Sequence, residues 1–184
     1  MKIQNLQNQK GFTLVEIAIV LVIIGLLLGG VLKGQELIQN SKVKSVVSEF
    51  NNIEAAYWAY RDRTGSYPTN TTTGFWFDLR TEGFITGDLA TSTTAAGPEH
   101  ALNGTFHFVP ANTSNLIPSK GMLCATAIED NIASNIDTKI DDSVGNTGNL
   151  RGVLETTAGT LNAAVPATVY STSAASFTIC QELQ

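Results

Sequence analysis

One carboxylate in this sequence lies where an acid is costly. The stretch from Phe12 to Leu32 is long and apolar enough to cross a bilayer as a helix, yet it contains Glu16 near its start. An ionised carboxylate in hydrocarbon is unfavourable unless a cation pairs with it. If the chain were cut between Gly11 and Phe12, the new α-amino group would supply that cation, one helical turn before Glu16. Glu16 could then pair with its own amine or with the amine of a neighbouring copy.

An uncleaved signal anchor is the simpler interpretation of the same segment. Residues 1–11 carry Lys2 and Lys10, and the positive-inside rule would hold these bases in the cytoplasm. No small-x-small cleavage motif follows the apolar run, as it would in an ordinary secretory signal. This interpretation leaves Glu16 without a role.

Cysteine and acidic residues supply the other groups that could do chemistry. Cys124 and Cys180 lack the spacing and the nearby histidines of a zinc site. They predict a disulfide if the domain is exported, and buried thiols if it stays in the cytosol. Asp137, Asp141 and Asp142 offer oxygen ligands of the kind that Ca²⁺ prefers, but without EF-hand spacing. A solvated helix end explains the same residues, so the sequence leaves calcium binding open.

Nothing in the sequence predicts an enzyme. His100 and His107 complete the groups that titrate near neutral pH, and neither belongs to a nucleophile elbow, a phosphate loop or an HExxH motif. We therefore expect no catalytic residues, no cofactor and no resident metal. The formal net charge is −5, and acids outnumber bases after Gly65. Bulk electrostatic binding of nucleic acid is thus not expected.

A single long helix is predicted to carry Glu16. No proline interrupts residues 12–63, and Thr64-Gly65 followed by Pro68 supplies a stop. Beyond Leu32 the pattern becomes amphipathic, with apolar residues at spacings of three and four: Val43, Val46, Val47, Phe50, Ile53, Tyr57 and Tyr60. Four glycines in the apolar half, Gly25, Gly29, Gly30 and Gly34, predict either close helix packing or a soft point in the helix.

The rest of the chain predicts a β-containing head. TFHFV (105–109), GMLCA (121–125) and SFTIC (176–180) are rich in strand-forming residues. Thr126 and Glu129 have the spacing of a capping box, which predicts a helix start there. Five aromatic residues predict either a core cluster, which we favour, or a ligand-stacking set: Tyr57, Trp58, Tyr60, Trp76 and Phe77.

The heptapeptide KGFTLVE, from Lys10 to Glu16, resembles the processing and methylation signature of type IV prepilins and type II secretion pseudopilins. The resemblance implies that a membrane peptidase cleaves after Gly11 and methylates the amine of Phe12. It implies that Glu16 pairs with the Phe12 amine of an adjacent subunit during assembly. It also implies that a disulfide, here Cys124–Cys180, bounds a variable surface region, which favours a pilin over a pseudopilin.

The predicted fold is α+β and pilin-like, with a long N-terminal helix packed on a small antiparallel sheet. The predicted segments are a cleaved leader (1–11), the long helix (12–63, with 12–32 transmembrane and 33–63 amphipathic), the head (64–184) and its disulfide-bounded region (124–180). The predicted function is that of a structural subunit in a type IV pilus-like surface filament. The alternative is a minor pilin or a pseudopilin of a type II secretion or DNA-uptake machine. A membrane-anchored binding protein or enzyme is the third and least favoured class.

The resemblance also implies partners and a location. The partners are further copies of the chain in a homo-oligomeric filament, the prepilin peptidase and an inner-membrane assembly platform. The precursor is expected to cross the bacterial inner membrane once, and the assembled form to be periplasmic or extracellular.

Overall fold

The structure is a computed structural model that describes residues 11, 13–89, 91–112, 121–161, 170 and 176–183. The chain divides into two compact units, Met1–Gln39 and Asn40–Gln184.

Helix α1 spans Leu14–Thr64 and contributes residues to both units. It ends where predicted: Gly65 adopts a φ of 77° and donates its backbone N–H to the Arg61 carbonyl at 2.8 Å. Glycine suits this left-handed position because it has no Cβ. In the first unit the large apolar side chains of α1 are exposed, and Leu14 is 91% exposed. By length and composition, this helix is able to cross a membrane.

In the second unit α1 buries the predicted stripe. Its buried residues, spaced three or four apart, are Val43, Val46, Phe50, Ile53 and Ala56. Val47, Tyr57 and Tyr60 are partly buried against the same core. Phe50 meets Phe106 of the sheet edge-on, with ring centroids 5.0 Å apart. The amphipathic half of the helix therefore serves as one wall of the head.

Two short helices and four strands complete the second unit. They are α2 (Gly74–Thr81), β1 (Phe106–Val109), β2 (Met122–Glu129), α3 (Asp130–Ile140), β3 (Leu150–Leu154) and β4 (Ser176–Glu182). The strands form one sheet in the order β1-β2-β4-β3, and every neighbouring pair is antiparallel. The long helix and the small antiparallel sheet confirm the predicted fold class.

The aromatic residues lie mostly in the core, as the favoured interpretation required. Trp76 is 1% exposed, and Tyr57, Tyr60 and Phe77 pack partly buried against the same cluster. Trp58 is the exception, because it lies outside this cluster and holds the Arg61 guanidinium over its ring at 4.5 Å.

The predicted capping box at Thr126 and Glu129 is wrong. Both residues lie in β2, and α3 begins only at Asp130, with no side-chain cap from Glu129. The Thr126 hydroxyl instead donates to the Thr105 carbonyl at 3.2 Å. Between Ala125 and Ile128 the β2–β4 register shifts, and Ala127 adopts a φ of 58°. Sheet pairing and this irregularity therefore override the local helix signal.

Candidate functional site

The start of α1 is organised by Thr13 and Glu16. The backbone N–H and the hydroxyl of Thr13 each donate to Glu16 Oε2 at 2.8 Å. In return, the Glu16 backbone N–H donates to Thr13 Oγ1 at 3.3 Å. Since Leu14 is the first helical residue, Thr13 is the N-cap and Glu16 is the third residue of the first turn. This reciprocal pattern is a capping box.

The capping box gives Glu16 a local role that sequence reasoning missed. The signal was present, because a threonine followed three residues later by a glutamate, directly before an apolar run, predicts a helix start. A carboxylate at this position also faces the positive end of the helix dipole. Both of the hydrogen bonds that Glu16 accepts among the described residues go to Oε2. The Oε1 atom accepts none within the described part of the chain.

Gly11 and Phe12 flank the predicted cleavage position. Gly11 is exposed, and a Cβ built on it would meet no atom within 4 Å. The fold of this chain therefore does not require glycine there. Phe12, the predicted methylation site and the partner of Glu16, lies outside the described residues.

The glycines of the apolar half of α1 are equally unconstrained by the chain itself. A Cβ at Gly25, Gly29, Gly30 or Gly34 would meet nothing within 4 Å. Each glycine weakens a helix by about 1 kcal/mol relative to alanine. The helix is nevertheless continuous through this segment in the isolated chain.

Cys124 and Cys180 are joined in a disulfide with an S–S distance of 2.08 Å. They lie directly opposite each other on the neighbouring strands β2 and β4, and both are fully buried. Around them lies a small apolar cluster that includes Val109, Met122 and Val153. The bridge thus ties the two central strands of the sheet and encloses α3 and β3.

Asp137, Asp141 and Asp142 approach one another within 4.8 Å at the end of α3. Asp137 accepts hydrogen bonds from the Tyr170 hydroxyl at 2.6 Å and from the Ser143 N–H at 3.2 Å. Burial raises the pKa of Asp137 above its ordinary value.

The other two carboxylates also have protein partners. Asp141 accepts from the backbone N–H groups of Asn149 and Leu150, and Asp142 accepts from the Val144 N–H at 2.9 Å. The chain itself therefore supplies hydrogen bonds to all three acids, of which Asp137 is buried and the other two are exposed.

Hydrogen bonds within the described chain hold His100 in the head. His100 is 5% exposed; its Nε2 lies 2.8 Å from the Thr126 carbonyl, and its Nδ1 lies 3.2 Å from the Leu102 N–H. The Leu102 N–H must donate to Nδ1, so Nε2 carries the proton of a neutral ring. Burial lowers the pKa of both His100 and His107.

Residues 6–32 match the family described as the prokaryotic N-terminal methylation motif. Among solved structures, the chain is similar to the major type IV pilin PilA1 from Clostridium difficile. That similarity has 15% sequence identity and a TM-score of 0.44, and it covers 79% of this chain and 96% of that one. No curated protein matches the sequence.

The methylation motif at the start of the chain agrees with the predicted resemblance to type IV prepilins and pseudopilins. The matched residues include the whole KGFTLVE heptapeptide and the apolar run after it.

Proposed function

We propose that this chain is a structural subunit of a type IV pilus-like surface filament. The observation that carries the proposal is the geometry at Glu16. The capping box fixes one carboxylate oxygen on the helix N-terminus, and among the described residues no donor occupies the Oε1 atom, which could accept a cation. Glu16 lies in the first turn of an apolar helix whose large side chains are exposed in the described chain.

In the proposed mechanism, the leader 1–11 holds the precursor in the inner membrane until prepilin peptidase cleaves after Gly11. A Cβ at Gly11 would meet no atom within 4 Å. This supports a requirement for glycine that comes from recognition by the peptidase and not from packing within the chain. The new amine of Phe12, methylated by the same peptidase, then pairs with Glu16 of the neighbouring subunit at the assembly platform. This pairing sets the register in which each subunit enters the filament.

Lateral packing of the apolar helices supplies the cohesion of the proposed filament. Their exposed side chains would be transferred from lipid to contact with other copies, so close packing rather than the hydrophobic effect drives association. Gly25 and Gly29, four residues apart, offer a small-residue surface for such contact. The four glycines also make this segment the place where the helix would yield most easily in the filament.

The first test asks where the processed chain resides. Mass spectrometry would compare sheared surface filaments with the remaining envelope of the same cells. We expect a chain that begins at methylated Phe12 to dominate the sheared fraction. The same processed chain found only in the envelope would instead identify a pseudopilin or minor pilin. A chain that retains residues 1–11 in both fractions would refute the proposal.

The second test separates the charge of Glu16 from its capping role. Glu16→Gln keeps an oxygen for the capping box but removes the charge, whereas Thr13→Val removes the cap hydroxyl and keeps the charge. As the only subunit in the cell, the Glu16→Gln and Glu16→Ala chains should be cleaved normally but yield few filaments. Thr13→Val should assemble better than either. Glu36→Ala is the control, since it removes an exposed acid of the same helix outside the apolar run. Normal filament yield from Glu16→Gln would contradict the docking role.

A further inference from the structure

A cleft of about 360 Å³ lies on one flank of α1 in the second unit. Its walls are largely apolar and include Ile53 of α1, Phe84 and Ile85 after α2, and Phe106 of β1. Two acidic residues line the same cleft: Glu49, on α1, and Glu99, which is exposed. None of the described residues that line it is basic. An apolar cleft with two carboxylates fits a cation carried on an aliphatic stem.

The Glu49 carboxylate is only half satisfied within the described residues. Its Oε1 accepts a hydrogen bond from the Ser45 hydroxyl at 2.9 Å. Its Oε2 is shielded from solvent and has no hydrogen-bond partner in the described chain. The ion pairs of the described chain are Lys33–Glu36, Arg61–Asp62 and Arg63–Glu82, so none of them neutralises Glu49. A shielded acceptor without a partner is costly, and a cation brought by another molecule would remove that cost.

Lys44 is one of the cations that the chain offers. It is exposed on α1 and takes part in no ion pair among the described residues. Lys44 and Glu49 are five residues apart, which places them about 140° apart around the helix, on opposite flanks. They therefore cannot pair within one copy. Two copies side by side can bring them together, because a heterologous contact joins different patches and repeats into an open helical filament.

We propose that Lys44 of one copy enters the cleft beside Glu49 of its neighbour, an inference that rests on the proposed filament function. The methylene groups of Lys44 pack along Phe84 and Ile85, and its ammonium group lies between Glu49 and Glu99. Long basic side chains commonly bury their stems on apolar surface in this way. The partner is thus a second copy of this chain, held by a charge pair at the level of the head.

The register of this pair agrees with that of the Glu16 pair. Lys44 and Glu49 are separated by five residues, an axial offset of about 7.5 Å along α1. Phe12 and Glu16 are separated by four residues, about 6 Å, with the basic group again on the lower-numbered residue. Helical symmetry displaces every atom of a copy by the same axial rise. The two offsets along α1 differ by about 1.5 Å, which is well within the reach of a lysine side chain.

Charge reversal tests the pair in the full-length chain expressed as the only subunit. Lys44→Glu and Glu49→Lys should each lower filament yield by about tenfold or more, since each places like charges together. The double variant restores an opposite pair and should recover most of the wild-type yield. Lys42→Glu is the matched control: it reverses a lysine on the same flank as Glu49, about 20° away around the helix, and should leave the yield unchanged. A double variant as defective as the single ones would contradict the pairing.

Cysteine crosslinking provides a second readout that does not depend on assembly yield. A Lys–Glu pair holds the two backbones too far apart for a disulfide, so filaments of a Lys44→Cys/Glu49→Cys chain are treated with a bifunctional maleimide. They should give a ladder of covalent multimers, whereas either single variant should not, and a crosslink within one copy adds no multimer. Filaments that give no ladder would overturn the pairing and leave the filament function standing. Absence of filaments from the wild-type chain would overturn the filament function, and the pairing with it.

Discussion

Glu155 offers a sharp test of how the head is held together. Its side chain is 5% exposed and accepts four hydrogen bonds. Oε1 accepts from the Ala127 N–H at 2.8 Å and from the Thr178 hydroxyl at 2.9 Å. Oε2 accepts from the Gly159 N–H at 2.7 Å and from the Ser176 hydroxyl at 2.6 Å. One carboxylate therefore joins the irregular end of β2 to β4 and to the chain beyond β3.

The expected cost of Glu155→Gln follows from this geometry. An amide has one acceptor oxygen, and its NH₂ group only donates. Whichever way the amide is oriented, its NH₂ group faces a backbone N–H, of either Ala127 or Gly159. A buried donor left without an acceptor costs about 1–3 kcal/mol, and the remaining bonds lose their charge assistance. We expect Glu155→Gln to lower the free energy of unfolding by about 2–4 kcal/mol.

The assay is denaturant unfolding of the full chain in detergent, followed by tryptophan fluorescence. Both tryptophans of the sequence, Trp58 and Trp76, lie in the second unit, so the signal reports on the head. Glu129→Gln is the matched control: Glu129 is exposed on β2, and its substitution should change stability by less than about 0.5 kcal/mol. If the two variants were equally stable, the argument that Glu155 organises this part of the sheet would be refuted.

Two further predictions concern the head. Burial lowers the pKa of His100. At a pH below the ordinary histidine pKa, the folded state therefore binds fewer protons than the unfolded state. Because of this, the free energy of unfolding should be constant above about pH 6.5 and should fall as the pH decreases below it. Urea unfolding at acidic and neutral pH would show this, and His100→Asn should reduce the difference; His107 contributes in the same direction. The Cys124–Cys180 bridge closes a loop with a sequence separation of 56. Loop-closure entropy then predicts that Cys124→Ser lowers stability by about 4 kcal/mol, and an unchanged unfolding midpoint would contradict this.

Much of the fold could be predicted because its elements follow local rules. Absence of proline, a three-and-four spacing of apolar residues and a terminal Thr64-Gly65 were enough to place α1 to within two residues at its start and one at its end. Three strand predictions, at TFHFV, GMLCA and SFTIC, correspond to β1, β2 and β4. These segments are rich in β-branched and aromatic residues, which fit the half-buried face of a sheet. Such strands can therefore be predicted from residue types alone.

The missed features depend on contacts that sequence does not record. The β3 strand, Leu150–Leu154, contains a glycine and an arginine, and it is fixed mainly by its pairing with β4. The role of Glu155 depends on residues more than twenty positions away along the chain. Thr126 and Glu129 have the spacing of a capping box, but their backbone forms part of strand β2 and not the start of a helix. The same spacing at Thr13 and Glu16 does form a capping box, because these residues lie at the start of helix α1.

The two units differ in what they require from other molecules. The head buries its aromatic core, ties its central strands with a disulfide and supplies partners to most of its buried polar groups, Glu49 being an exception. The apolar half of α1 does none of this, because its large side chains are exposed throughout the described segment. In the proposed filament, cohesion therefore comes from the helices. The charges at Glu16 and Glu49 instead fix the register between neighbouring copies. Apolar packing alone tolerates a shift of one copy along the helix of the next, whereas an ion pair does not. Reversing both members of a charge pair should accordingly restore register, whereas substitutions among the leucines of α1 should change cohesion and leave register intact.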